Sequence, residues 1–416
     1  MTQDAAGIRG VKQLESANMV RAHQREWFAE NRKRVEQGEP FAICNGDDWE
    51  EGFSAMDIPV MCINYWHAII GTKQMNPYYD KVLVEHGYPV TGFARAMASY
   101  MDRKPDVAPW GGYPKPAILI GGSKNDIEMK VLEYWARECE CDFYPLDWSL
   151  DPVPEWAHPP PPLWWDRMRD HWDEMIEPKR LAGRVEEEKA LVNFIEDRTN
   201  KRLTIPRLLR SLELLNEQMV YWGKARDLIA ETIPCPVNVR DQGGMYQAMW
   251  HRGTEKGRDL VKAYYDEVQY RVDKGMVACP NEQLRLSWSG DHAPIFESYI
   301  EEKYGAVIVA WAYFSYPVDS YLRRITYDDP MKTLAGHHMI LFFQDPKLYL
   351  RDAKMAKCDG RIEVSMMPGV PSFTKPVFDE AGIPVCQLPR EVLDDEVKSL
   401  LDKFIQELLA KKKKRV

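Results

Sequence analysis

The chain has 416 residues, 45% of them hydrophobic, enough to bury more than one core, and domain-size expectations favour two or three units. A net charge of -9 argues against nucleic acid as the main partner, because phosphate binding needs a basic surface that dominates the local field. Eight cysteines are too dilute for a disulfide scaffold, and no stretch reaches the ~18 apolar residues of a membrane span.

The first residues, MTQDAAGIRGVKQLES, are acidic and polar where a secretory signal would carry an apolar run, so a cytoplasmic protein is expected. Residues 1–40 read as an N-terminal helical segment, polar and helix-prone over Gln24 to Glu36. Residues 41–150 read as a first α/β domain. Phe41 to Asn45 (FAICN) and Pro59 to Asn64 (PVMCIN) are short apolar runs flanking a helical stretch, the pattern of buried parallel strands. The alternation continues with Ala117 to Ile120 followed by Gly-Gly, a helix from about Asp126 to Cys139, and Phe143 to Trp148. Cys139 and Cys141 have C-x-C spacing, which on a helix turns the two side chains apart, so both read as ordinary thiols.

Residues 151–232 read as a proline-rich linker and helical region. The run DPVPEWAHPPPP from Asp151 to Pro162 cannot supply helix or central-strand hydrogen bonds, since proline lacks the amide proton. A long amphipathic helix follows over Leu208 to Ile229, with Leu212, Leu215, Met219 and Trp222 on one side as core or interface rather than a cofactor box. Residues 233–416 read as a second α/β domain. Leu284 to Trp288 runs into Ser289-Gly290, then come a helix over Ile295 to Lys303 and a strand over Ala306 to Trp311. Further strands are expected at Arg361 to Met366 and Ile383 to Leu388, with a closing helix from Asp394 to Leu409 and a solvated basic tail, Lys411 to Arg415. The fold class is therefore α/β: two Rossmann-like parallel-sheet domains with an N-terminal helical segment and a helical connecting region.

An open parallel sheet binds ligands at the carboxyl ends of its strands, which singles out a few polar residues. Asp47, Asp48, Glu50 and Glu51 follow the first strand; such a carboxylate serves either as a helix cap or in proton transfer. Tyr65-Trp66-His67 follow the second strand, two aromatics able to line an apolar pocket and an imidazole, the side chain that ordinarily titrates near neutrality. Ser289 and Gly290 sit at a strand-glycine-helix junction, where glycine is needed for phosphate approach or for turn geometry alone. His337-His338 lack the i, i+4 spacing of a helical metal pair.

Several segments in order resemble one family over about residues 40 to 409. Phe194 to Thr204 (FIEDRTNKRLT), Asn281 to Trp311 with its strand-helix-strand pattern, and Asp328 to Ala335 (DDPMKTLA) resemble elements of the 2-hydroxyacyl-CoA dehydratase and benzoyl-CoA reductase family. Met245 to Arg252 (MYQAMWHR) and Arg258 to Asp273 are most similar to the larger subunit of ATP-dependent benzoyl-CoA reductase. Set against that resemblance, three positions where the family carries cluster-ligating cysteines hold other residues: Gly92 in YPVTGFAR (Tyr88 to Arg95), Asn125 before DIEMK, and Gly369 in Gly369-Val370-Pro371. A thiolate is the ligand such a cluster needs, and neither glycine nor an amide replaces it. Cys44, Cys62 and Cys358 lie in or beside predicted strands, poor places for a ligand that must project into a cleft.

The resemblance implies a chain that binds no cofactor itself and pairs, as a heterodimer or higher heteromer, with a homologous subunit bearing a 4Fe-4S cluster. It also implies an acyl-CoA cleft, with Glu51 near the family's "P-x-E-L-x-x-A" element (Trp49 to Ala55). Glu51 and His67 are then the candidate catalytic residues, and Tyr65, Trp66, Arg95, Ser289 and Gly290 the candidate substrate contacts. Two other readings stay open: non-redox hydration, dehydration or isomerisation carried by this chain around Glu51 and His67, and a structural subunit that binds no substrate.

Overall fold

The structure is a computed structural model that describes residues 14–45, 49–122, 126–146, 177–290, 293–311, 323–340, 346–364, 372 and 374–414. It opens with a helix, α1 (Glu15–Glu36), held at its N-terminus from across the chain. The Glu267 carboxylate accepts from Glu15 N at 2.8 Å, Ser16 N at 2.8 Å and Ser16 Oγ at 2.6 Å. An anion at the exposed amides of a first turn is favoured by the helix dipole.

The first sheet follows: β1 (Ala42–Cys44), α2 (Glu50–Ala55), β2 (Val60–Cys62), α3 (Ile63–Thr72), α4 (Asn76–Glu85), α5 (Gly92–Met101), β3 (Ile118–Gly122), α6 (Asp126–Cys139) and β4 (Asp142–Leu146). The four strands are parallel in the order β2-β1-β3-β4. β1, β2 and β3 are buried along their whole length, as expected of apolar runs covered on both faces.

Helices α7 (Pro178–Thr199) and α8 (Ile205–Glu231) come next, then α9 (Val239–Tyr246), a 3-10 turn (Gln247–His251) and α10 (Glu255–Asp273). The second sheet is built from β5 (Leu284–Ser289), α11 (Ala293–Tyr304), β6 (Ala306–Trp311), α12 (Pro330–Ile340), α13 (Pro346–Met355), β7 (Gly360–Val364), α14 (Lys375–Glu380), β8 (Val385–Leu388) and α15 (Asp395–Lys413). Its strands are parallel in the order β6-β5-β7-β8, the same connectivity as the first sheet. The chain is thus α/β with two Rossmann-like parallel sheets. No described helix is long and apolar enough to cross a membrane.

Arg285 joins the helical region to the second sheet. Buried on β5, its guanidinium donates to the carbonyls of Ala230 at 2.9 Å, Ile229 at 3.3 Å and Thr232 at 3.0 Å, a cation on the unsatisfied C-terminal end of α8. α8 packs along α10 and against α2, so the short helix after β1 lies on the longest of the described helices.

Two local expectations change. β2 passes into α3 without a loop, so Tyr65, Trp66 and His67 lie on a helix, where neighbouring side chains diverge by about 100°. Cys139 and Cys141 do not share a helix, so the divergence expected from helical spacing does not apply to them. The helix ends between them: Glu140 adopts a left-handed backbone (φ 51°) that folds Cys141 back.

Candidate functional site

The two strand orders locate the site. In the first sheet the chain runs from β1 outward to β2, then crosses to β3 and β4, so the connections leaving β1 and β3 depart in opposite directions and open a crevice at their carboxyl ends. The described segments at that switch point are the start of α2, carrying Glu50 and Glu51, and the start of α6 at Asp126. In the second sheet the equivalent strands are β5 and β7, which end at Ser289-Gly290 and before the segment holding Gly369. Asn125 and Gly369 themselves, like Asp47 and Asp48, lie outside the described residues.

At the first switch point the structure builds a buried chain of charges. Glu50 and Arg252 are both fully enclosed, with Arg252 Nη1 donating to Glu50 Oε1 at 2.8 Å. Glu51, also buried, faces the Arg323 guanidinium at 3.6 Å, and Arg323 Nη2 lies 2.9 Å from His337 Nε2. Ser211 on α8 donates to the Glu51 carbonyl at 3.0 Å and Ser54 donates to the Arg252 carbonyl at 2.8 Å, so backbone and side chains are pinned together. Two ions taken out of water cost several kcal/mol each, and only a close, hydrogen-bonded partner offsets that; loss of either partner leaves a bare buried charge worth about 3–5 kcal/mol.

Tyr65 stands beside this network. Its ring stacks on Trp250 (centroids 5.1 Å apart, 10° between planes), meets Tyr246 edge-on, and has the Arg252 guanidinium 5.9 Å from its centre. Trp66 points the other way into the core, fully enclosed, its indole N–H donating to Ser99 Oγ at 2.8 Å. Arg95 lies on α5 and holds Asp80 of α4 through Nε at 2.6 Å and Nη2 at 3.3 Å, an inter-helix clamp.

Gly92 opens α5, with the Thr91 hydroxyl accepting from Ala94 N as N-cap at 3.1 Å. The expected loop position is therefore the first residue of a helix. The space in front of it is filled by His67: a Cβ built on Gly92 would lie 2.8 Å from His67 Cε1 and 3.0 Å from Nε2. Position 92 does not fit a cluster ligand, since it offers no sulfur and an imidazole occupies the direction a side chain would take. His67 is half-buried on α3.

At the second switch point Gly290 has φ 146°, a backbone region closed to other residues, and its carbonyl accepts from Trp311 Nε1 at 2.6 Å. A Cβ there would lie 2.4 Å from a Glu391 carboxylate oxygen. Glycine is required for geometry, and the carboxylate beside it disfavours a phosphate at this point. Ser289 is half-buried at the end of β5. Deeper in the sheet, Arg361 pairs with Glu363 at 2.9 Å and donates to Ser287 Oγ at 2.9 Å, while the hydroxyls of Ser372 and Thr374 donate to Glu363.

Against known proteins, the profile of the family described as 2-hydroxyglutaryl-CoA dehydratase, D-component, matches residues 78–404. The chain belongs to that family. Membership in the D-component family makes it a component of a 2-hydroxyacyl-CoA dehydratase-type system and implies a partner activator component. No curated protein matches the chain. The D-component match spans Gly92, Arg95, Ser289 and Gly290, whereas Glu50, Glu51, Tyr65, Trp66 and His67 precede it.

Sequence reasoning missed Arg252, Arg323 and Glu363. Arg252 ends the segment MYQAMWHR, which was singled out for its similarity to a larger subunit of this family, but nothing in one dimension pairs it with Glu50 at a distance of 202 residues.

Proposed function

We propose that this D-component family member is the cluster-free subunit of a heteromeric acyl-CoA-processing enzyme of the 2-hydroxyacyl-CoA dehydratase or aryl-CoA reductase type. A homologous subunit carries the 4Fe-4S cluster, and this chain contributes one wall of the acyl-CoA cleft. The observation that carries the reading is the His67 imidazole packed into the side-chain space of Gly92, the position where the family places a thiolate.

In this reading the carboxyl edge of the first sheet faces the thioester. His67, half-buried, is the group able to move a proton at the substrate, and Glu51, held against Arg323, orients the start of α2 beneath it. Tyr65 and Trp250 supply an aromatic floor, Trp66 acts through the core that fixes α3, and Arg95 keeps α5 and Gly92 in place against α4. Ser289 and Gly290 form the facing rim on the second sheet. The test is reconstitution under anaerobic conditions: the chain co-expressed with a homologue holding all three cysteines turns over a CoA thioester, and neither subunit does so alone. Redox-dependent turnover by this chain in isolation contradicts the proposal.

A second reading is favoured by one feature, the imidazole standing where a redox ligand would be. His67 then serves as acid-base group for non-redox hydration or dehydration by this chain alone. Solvent-deuterium exchange at the acyl α-carbon, catalysed by the isolated chain and abolished by His67→Ala, would support it; no exchange above background removes it.

A further inference from the structure

We propose that Cys44, Cys62 and Glu50 form a binding site for one soft divalent cation, with Zn2+ the ion its chemistry suits best. Among the described residues this is the one group of histidine, cysteine and acidic side chains whose donor atoms all lie within 4.8 Å of one another. The two cysteines end adjacent parallel strands and are register partners, Cys44 on β1 beside Cys62 on β2. Their sulfurs are 3.7 Å apart, and Cys62 Sγ is 2.9 Å from Glu50 Oε1.

The geometry suits a tetrahedral ion. A Zn–S bond of about 2.3 Å sets the sulfur–sulfur edge of a regular tetrahedron at about 3.8 Å, so the two thiols already stand at the spacing the metal requires. The sulfur–carboxylate edge would open by roughly half an ångström, from a hydrogen bond to two ligands on one ion. The three protein donors leave a fourth position for a water or another oxygen or nitrogen ligand. Thiolate sulfur selects zinc-like cations over magnesium or calcium, which prefer oxygen alone.

Charge balance supports the same reading. All three side chains and Arg252 are fully enclosed. Without metal the group holds two neutral thiols and one Glu50–Arg252 pair. With metal it holds two thiolates, one carboxylate, one dication and one guanidinium. Both states sum to zero, which a closed apolar setting demands. The step is M2+ + 2 R–SH → M(S–R)2 + 2 H+, so two protons leave per ion and affinity rises steeply with pH. Arg252, donating to the ligating carboxylate, plays the part that outer hydrogen bonds play at metal centres. The bound ion would tie β1, β2 and the first turn of α2 together, one residue before Glu51. The site precedes residues 78–404, and none of its residues is one of the three vacated cluster positions. It stands independently of the proposed function.

The full chain, purified anaerobically under reductant and stripped by a chelator, is titrated with Co2+ and then Zn2+. The expected result is one equivalent of Co2+ bound, a near-ultraviolet thiolate-to-cobalt band with intense visible bands of a tetrahedral ion, bleaching by one equivalent of Zn2+, and two protons released. Cys62→Ser abolishes the bands, while Cys358→Ser, a buried thiol near the second sheet, keeps them. X-ray absorption of the zinc-loaded wild type, which needs no variant to fold, shows two sulfur ligands at about 2.3 Å. No charge-transfer band in the wild type, unchanged bands in a folded Cys62→Ser, or a zinc shell of oxygen and nitrogen alone overturns the proposal.

Discussion

One added methyl group tests the contact between Gly92 and His67. In Gly92→Ala the new Cβ would come within 2.8 Å of His67 Cε1, closer than carbon atoms tolerate, so the ring or the start of α5 must move. Overpacking of this kind costs about 1–3 kcal/mol. Because His67 is the neighbour at fault, His67→Ala should make room, and the Gly92→Ala penalty should vanish in that background. A urea-denaturation double-mutant cycle should therefore give a coupling of roughly 1 kcal/mol or more, and additive effects would refute the contact. At this scale the sequence was informative about identity but not about company. Gly92 stood out only through the family resemblance, and the fold adds that the His67 imidazole occupies the space a side chain there would take. The carboxylates after β1 read equally well as caps, because their partners Arg252 and Arg323 are far along the chain.

Helix α1 shows how an element hides from its own sequence. Residues 1–40 were expected to form a helical segment, but the helix-prone run could be placed only over Gln24 to Glu36, whereas the helix begins at Glu15. Its buried positions include Ser16, Gln24 and Asn31, so the apolar stripe is interrupted, and its N-terminus depends on Glu267 of α10. Where α1 crosses the 3-10 turn, His23 packs on His251 (ring centroids 4.5 Å apart) and Gln24 Nε2 reaches His251 Nε2 at 3.0 Å. Burial first, and nearby Lys256 second, push His23 down to about 4 from its ordinary 6.5; burial pushes His251 down as well. In that window the unfolded chain binds protons that the folded protein refuses. Stability is therefore full above about 6.5 and declines as pH falls towards 4. The melting temperature should drop over this range, and His23→Gln should flatten the drop; an unchanged profile would show that the pair does not titrate in this way. The strands, by contrast, were legible to within one or two residues over the described stretches, most closely where a continuous apolar run such as Ala306–Trp311 is buried throughout. The β2–α3 junction was misread because nothing local separates the last strand residue from the first helical one.

Across the whole molecule, the alternation of apolar runs and amphipathic helices made two parallel sheets foreseeable, and 2-hydroxyacyl-CoA dehydratase kinship was carried by segments spread along the chain. The strand orders were not, because parallel strands of similar composition give no clue to which lie side by side. Those orders turn scattered motifs into two carboxyl edges, one with Glu50, Glu51 and His67, the other with Ser289 and Gly290. They also bring Cys44 beside Cys62, two thiols that as isolated strand residues looked ill-placed for any ligand role. The proposal that this chain lacks the cluster thiolates of its family is tested most directly by chemical analysis. Iron and acid-labile sulfide should be measured in the chain isolated anaerobically without companion protein, and again in complex with a cysteine-bearing homologue. The account predicts neither element in stoichiometric amount in the first sample and both in the second; stoichiometric iron and sulfide in the isolated chain would contradict it.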